Sequence, residues 1–167
     1  GSTAIQCPPT PHPRVNILNP GCGVGGHCIA VDPWFLVSSF PEDSLLIESA
    51  RKVNLRKTSW VINKIIKIAD EFEITYKKKP IIGCLGLSFK PNIDDLRESP
   101  ALEIFNYLNQ FGLSAIACEP NLKKHISITL YSLEEIQRKA DIIIKLVEHN
   151  EFQNMKKSLK GVYNFCK

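Results

Sequence analysis

The run Ile81-Ile-Gly-Cys-Leu-Gly-Leu87 constrains the fold of this chain most strongly. It is apolar throughout and bounded by charge, with Lys77-Lys-Lys-Pro80 before it and a long polar loop, 88–98, after it. A strand that is apolar on both faces must be covered on both faces, which is the condition of a parallel sheet. Helices and strands alternate from there to the end of the chain. Ser99 caps a helix with Pro100 at its first position. Ala101, Ile104, Phe105, Leu108 and Phe111 form that helix's apolar stripe, and Gly112 stops it. Residues 113–118 read as a second strand, and the loop 121–131 has room for a short one at 126–130. Ser132 and Glu135 fit a capping box. Residues 141–147 are the clearest buried strand, 151–159 a last helix and 162–165 an edge strand. This order predicts an α/β fold, a Rossmann-like parallel sheet with helices on both faces. Ligands of such sheets bind outside the carboxyl ends of the strands, here the 87–98 loop and the turns at 118–121 and 147–151.

The region before the sheet is different. Residues 1–14 are Pro-rich and aperiodic, an irregular leader in which Gly1-Ser2 reads as a tag remnant. Residues 15–76 form a second unit, and 80–167 the sheet domain. The second unit starts with a glycine turn, Gly21-Cys-Gly-Val-Gly-Gly26, followed by His27, Cys28 and Asp32. After Pro33 the pattern becomes helical and breaks near Pro41. Two helices come next, at 42–53 and 55–72, the second with Val61, Ile65, Ile68 and Phe72 along one face. That face needs a partner, either the sheet domain or another subunit.

The net charge of +4 suits anionic ligands but falls short of a nucleic-acid footprint. No apolar run reaches the roughly 18 residues of a membrane span, and no signal segment opens the chain. The six cysteines (Cys7, Cys22, Cys28, Cys84, Cys118, Cys166) form no dense framework. The expectation is a reducing cytoplasm without disulfides.

Two constellations could carry chemistry. Cys28 follows a Gly-Gly pair whose backbone freedom gives access, and Asp32 could orient water or act as a base. The alternative for Cys28 is a small buried residue in a tight turn. Cys7, His12, Cys22, His27 and Cys28 are spaced too irregularly for zinc, and no metal is expected. In the 88–98 loop, Lys90 and Arg97 stand where an anion would bind, Arg as a bidentate clasp and Lys as a point charge. Asp94 and Asp95 could be their ion-pair partners. The alternative is a solvated polar loop. Gly83 and Gly86 lack the dinucleotide fingerprint. His12 and Arg14 form a cationic pair before the glycine turn.

Together, Gly-Val-Gly-Gly-His-Cys-Ile-Ala-Val-Asp-Pro-Trp-Phe (23–35) and Gly-Leu-Ser-Phe-Lys-Pro-Asn-Ile-Asp-Asp-Leu-Arg-Glu-Ser-Pro-Ala (86–101) resemble the signatures of the UDP-glucose/GDP-mannose dehydrogenase family. The resemblance covers roughly residues 12–150. It implies an NAD-dependent oxidation of a sugar primary alcohol to a carboxylate, two NAD per sugar nucleotide, with UDP-N-acetyl-D-mannosamine as the expected substrate. By the same resemblance, Cys28 is the nucleophile toward the aldehyde and Asp32 handles the water and its proton. Gly25, His12, Arg14, Phe89 and Lys90 become substrate contacts, and Arg97 a contact to NAD. The helices at 42–72 become a homodimer interface and 80–167 a UDP-binding domain.

The departures from the family pattern also carry expectations. Cys22 stands where the family usually has Pro, and the leader and the tail differ. No NAD-binding Rossmann domain is present. The expectation is therefore a carboxyl-terminal portion that does not oxidise sugars alone. The competing reading is a non-catalytic nucleotide-sugar-binding or assembly module with a vestigial Cys28.

Overall fold

A computed structural model describes residues 21–153, 155 and 161–166. Helix α1 spans Asp32–Ser39 and helix α2 Leu45–Tyr76. Strands β1 (Ile81–Leu85), β2 (Ser114–Cys118), β3 (Ile142–Lys145) and β4 (Val162–Asn164) come after them, with α3 (Pro100–Gln110) after β1 and α4 (Leu133–Lys139) after β2. The sheet is parallel, in the order β2-β1-β3-β4. β1 is therefore flanked on both edges, which explains its unbroken apolar run.

Strand pleating divides the core into two layers. Ile82, Cys84, Ala115, Ala117, Ile142 and Ile144 pack beneath α2 and α3. Leu85, Cys118 and Ile143 face the other way, against Ile136 and Ala140 of α4 and Phe152. Gly83 lies on this second face. A Cβ there would stand 2.5 Å from Ile136 Cγ2 and 2.9 Å from Ala140 Cβ, so its bareness lets α4 settle close to the sheet. The doubly wound α/β architecture is as the alternation predicts.

Several elements differ from expectation. The two helices at 42–53 and 55–72 are one helix of 32 residues. Asn54, at the supposed junction, costs little helix propensity, and its side chain accepts a bond from Val24 N instead of breaking the helix. Arg51, Thr58, Val61, Ile62, Ile65 and Ala69 form one continuous buried stripe across it. β1 ends at Leu85, because Gly86 takes φ +86° and Leu87 N donates to the Glu119 side chain rather than to a neighbouring strand. Residues 126–130 make only a single bridge, Leu130 to Ala117. Phe111 closes α3 as an exposed residue stacked near Tyr107 rather than joining the core. Of the helix expected at 151–159, the described residues show a 3-10 turn at Asn150–Phe152, and 154 and 156–160 lie outside the described residues.

Strand order reverses direction between β1 and β3. The chain leaves β1 toward β2 on one side and leaves β3 toward β4 on the other, which opens a crevice at their carboxyl ends. Loop 88–98 rises from one wall of this crevice, and the segment 146–150 forms the other.

Candidate active site

The glycine turn is held from three sides. Thr58 Oγ1 on α2 donates to the Cys22 carbonyl at 3.0 Å, and Val24 N donates to Asn54 Oδ1 at 3.0 Å. Gly26 N donates to the Arg97 carbonyl at 3.1 Å, which ties the turn to loop 88–98. Gly25 is buried in this junction. A Cβ on it would overlap the Glu98 carbonyl oxygen, with Phe89 Cβ at 2.7 Å and Pro100 Cδ at 2.9 Å. Gly26 has φ +87° and lies under the Phe89 ring. Two glycines are thus required here, one for close approach and one for a left-handed backbone.

Beyond the turn the chain coils directly into α1. The Cys28 carbonyl accepts from Val31 N (3.1 Å) and Asp32 N (2.8 Å). Cys28 is an exposed free thiol, and Asp32 is an acid at the first residue of α1, where the helix dipole favours it. No side-chain hydrogen bond joins Cys28 to Asp32 among the described residues. The other described cysteines are all buried. Burial pushes the thiols of Cys22, Cys118 and Cys166 up to about 12, and Cys84 is raised too. A thiolate is the reactive form, so the buried four are inert at neutral pH.

Loop 88–98 supplies the facing groups. Phe89 is half-buried against the glycines, and the exposed Lys90 ammonium lies 5.5 Å from its ring centroid. Arg97 clasps Asp95, with Nε 3.0 Å from Oδ1 and Nη2 2.6 Å from Oδ2. Hydrogen bonding from Arg97 holds the Asp95 carboxyl down at about 2. Asp95 is thus the acid that pairs in this loop. Arg97 remains largely exposed. A dinucleotide cradle does not appear among the described residues, since Gly83 lies beneath α4 and Gly86 packs on Val147. His12 and Arg14 lie outside the described residues. No cluster of metal-ligating side chains occurs among the described residues, and none of their helices is long and apolar enough to cross a membrane.

A buried polar network at the crevice was not legible in the sequence. The side chains of Glu119 and His149 are fully buried and 3.1 Å apart. Glu119 Oε2 accepts from Leu87 N (2.7 Å) and Ser88 N (3.0 Å), while Oε1 accepts from Asn121 N (3.2 Å). His149 Nδ1 lies 2.9 Å from Asn92 N, which can only donate, so the ring proton sits on Nε2 and points at Glu119. Ser88 Oγ lies 3.3 Å from the same Nε2 and donates to the Lys90 carbonyl at 2.8 Å. Serine and carboxylate meet one ring nitrogen, an arrangement that is not a nucleophile–base–acid relay. The strand ends at 118–121 and 147–151 marked this place in the sequence, but nothing singled out Glu119 or His149.

Comparison with known proteins agrees with the two motifs. Residues 83–165 match the UDP binding domain, and residues 9–56 the central domain, of the UDP-glucose/GDP-mannose dehydrogenase family. A UDP-N-acetyl-D-mannosamine dehydrogenase of Escherichia coli K12 is 48% identical over 151 residues, 85% of this chain and 36% of that protein. An NDP-N-acetyl-D-galactosaminuronic acid dehydrogenase of Ralstonia solanacearum is 47% identical over 149 residues, 86% of this chain and 34% of that protein. The solved UDP-D-ManNAc dehydrogenase of Pyrococcus horikoshii superimposes with a TM-score of 0.75 at 32% identity, covering 93% of this chain and 38% of that one. The chain spans about a third of the length of the curated relatives it matches.

The Glu119 network makes stability depend on pH. Burial is the largest single influence on this carboxyl and pushes it up, but the bonds from His149, Leu87 N and Ser88 N together outweigh it. The net pKa is below the usual range. A depressed carboxylate contributes stability that is present above its unfolded value, about 4.3, and is lost as pH falls through the folded one. Both Glu119 oxygens face donors, so Glu119→Gln would set an amide NH2 against N–H groups. Denaturant unfolding of Glu119→Gln at pH 7 is expected to show a loss on the order of 3 kcal/mol. Its further loss between pH 5 and 3 is expected to be smaller than that of the wild-type chain. A variant as stable as wild type would contradict this reading.

Proposed function

Because the chain belongs to the UDP-glucose/GDP-mannose dehydrogenase family, we propose that it is the nucleophile-bearing and UDP-binding part of an NAD-dependent dehydrogenase acting on UDP-N-acetyl-D-mannosamine. The observation that carries the proposal is the junction of the two motifs. The Gly26–Arg97 bond and the packing of Phe89 on Gly25 and Gly26 set an exposed thiol beside a loop bearing Lys90 and Arg97. A reactive sulfur next to cations suited to a diphosphate is what oxidation at the sugar end of a nucleotide-sugar requires. The names of the relatives support the sugar.

In this reading residues 15–76 carry the nucleophile and the interface helices, and 80–167 bind UDP. Lys90 neutralises the diphosphate, and Phe89 with Gly25 shapes the sugar end. His12 and Arg14 are assigned to the nucleotide-sugar as well. The Cys28 thiolate adds to the C6 aldehyde carbon, forming a C–S bond while the carbonyl oxygen takes a proton. Loss of hydride from that carbon, with release of the hydroxyl proton, leaves a thioester. Water then adds with Asp32 accepting its proton, the C–S bond breaks, and carboxylate and thiol are released. NAD, when bound, is the acceptor for the hydrides of both oxidations, and Arg97 is the residue here that fits its pyrophosphate. The rest of the dinucleotide site is assigned to the remainder of the enzyme, so turnover is not expected of this chain alone. The buried free thiols suit a reducing cytoplasm.

A homodimer through α2 belongs to the same proposal. Leu45, Leu46, Val53 and Trp60 are exposed along this helix, a concentration of apolar surface that association would cover. Sedimentation equilibrium at tens of micromolar chain is expected to show twice the monomer mass, and a monomer would remove this part of the reading.

Calorimetric titration with UDP tests the nucleotide site. One UDP per chain is expected, with affinity falling about tenfold in Lys90→Ala, the effect of losing one charge-assisted contact. No heat, or an unchanged constant in Lys90→Ala, would contradict the assignment.

A further inference from the structure

The crevice between β1 and β3, where open parallel sheets take their ligands, is filled from within. Val147 packs on Gly86, and below the loop sit Glu119 from the end of β2 and His149 beyond the end of β3. Neither side chain reaches the surface, so neither can touch a nucleotide. Their bonds instead run to the backbone of the loop that carries Phe89 and Lys90. Glu119 holds the N–H groups of Leu87 and Ser88, and Ser88 Oγ holds the Lys90 carbonyl. His149 holds the Asn92 N–H, and Asn92 Oδ1 in turn accepts from Asn150 N at 2.9 Å. Asn92 has φ +60°, an unusual backbone for a residue other than glycine, and these bonds fix it there. Every second residue from Ser88 to Asn92 is pinned.

We propose that His149 and Glu119 are positioning residues for the nucleotide-sugar site: they fix the path of residues 87–92 and so set where the Lys90 ammonium and the Phe89 ring stand. The role rests on the nucleotide-sugar reading of the site. The pair is matched chemically. His149 must accept on Nδ1 and donate on Nε2 at once, which only the neutral ring in one tautomer does while also packing edge-on against Phe152 at 5.4 Å. Glu119 must be an anion, since both its oxygens receive donors.

The test is UDP calorimetry on the full chain, read beside amide exchange at Asn92. His149→Phe keeps a ring against Phe152 and removes the ring nitrogens' contacts to Asn92, Glu119, Ser88 and Asn121. It is expected to weaken UDP tenfold or more and to speed Asn92 exchange. His149→Gln returns one acceptor and one donor and is expected to recover part of the affinity. Ile136→Val, which destabilises the core under α4 away from the loop, is expected to bind UDP as wild type does, separating positioning from general loss of stability. Ser88→Ala keeps the Glu119–His149 pair and removes the bond to the Lys90 carbonyl, together with the 3.3 Å contact of the hydroxyl to His149 Nε2. It is expected to cost about fivefold, the effect of one hydrogen bond, and it serves if His149→Phe does not fold. Wild-type affinity in either His149→Phe or Ser88→Ala overturns the positioning role and leaves the nucleotide reading standing. A wild-type chain that takes no UDP removes the nucleotide reading, and the positioning role with it.

Discussion

The backbone bond from Gly26 N–H to the Arg97 carbonyl joins two segments far apart in the chain, and the site exists only where they meet. It forms because Gly25 has no side chain. Any Cβ there would displace the Glu98 carbonyl, Phe89 and Pro100, separating the thiol turn from the cationic loop. The same contact explains why Ser99 and Pro100 come so soon after the loop. Ser99 Oγ donates to the Leu87 carbonyl at 2.6 Å and accepts from Leu102 N, so α3 starts at a fixed place under the loop. Glycine turn, loop and helix start form one braced corner.

That corner stands on two supports of different character. α2 holds the glycine turn through Asn54 and Thr58, two small polar side chains on an otherwise amphipathic helix. The sheet holds the loop through a buried carboxylate and a neutral imidazole. Burying such groups is costly unless each is satisfied, and a fully satisfied network restricts the backbone around it to one arrangement. The cost is placed where the loop leaves β1, at the point where sheets of this topology open a ligand crevice. With that crevice filled, the proposed binding surface lies farther out, toward Lys90 and the glycine turn.

Much of this was legible in the sequence because it depends on local pattern. The apolar run at β1, the Ser99-Pro100 helix start and the Ser132/Glu135 capping box each announce themselves by residue type and spacing, and each is present. The accessibility of Cys28 followed from its glycines. What depends on distant partners was not legible. Asn54 looks like a helix break until Val24 is seen to use it. Glu119 and His149 look like loop residues, because only the parallel pairing of β1 with both neighbours brings their strand ends together. Phe111 carried the right spacing for the core, but α3 ends before it can turn inward.

In the proposed function the exposed thiol and the cationic loop serve one nucleotide-sugar site. Alkylation of Cys28, followed by peptide mass spectrometry with and without UDP-N-acetyl-D-mannosamine, tests it most directly. Cys28 is expected to react at least about tenfold faster than Cys22, Cys84, Cys118 and Cys166, and saturating nucleotide-sugar is expected to slow Cys28 alone. A Cys28 rate equal to the buried thiols, or one that the nucleotide-sugar leaves unchanged, would contradict the account.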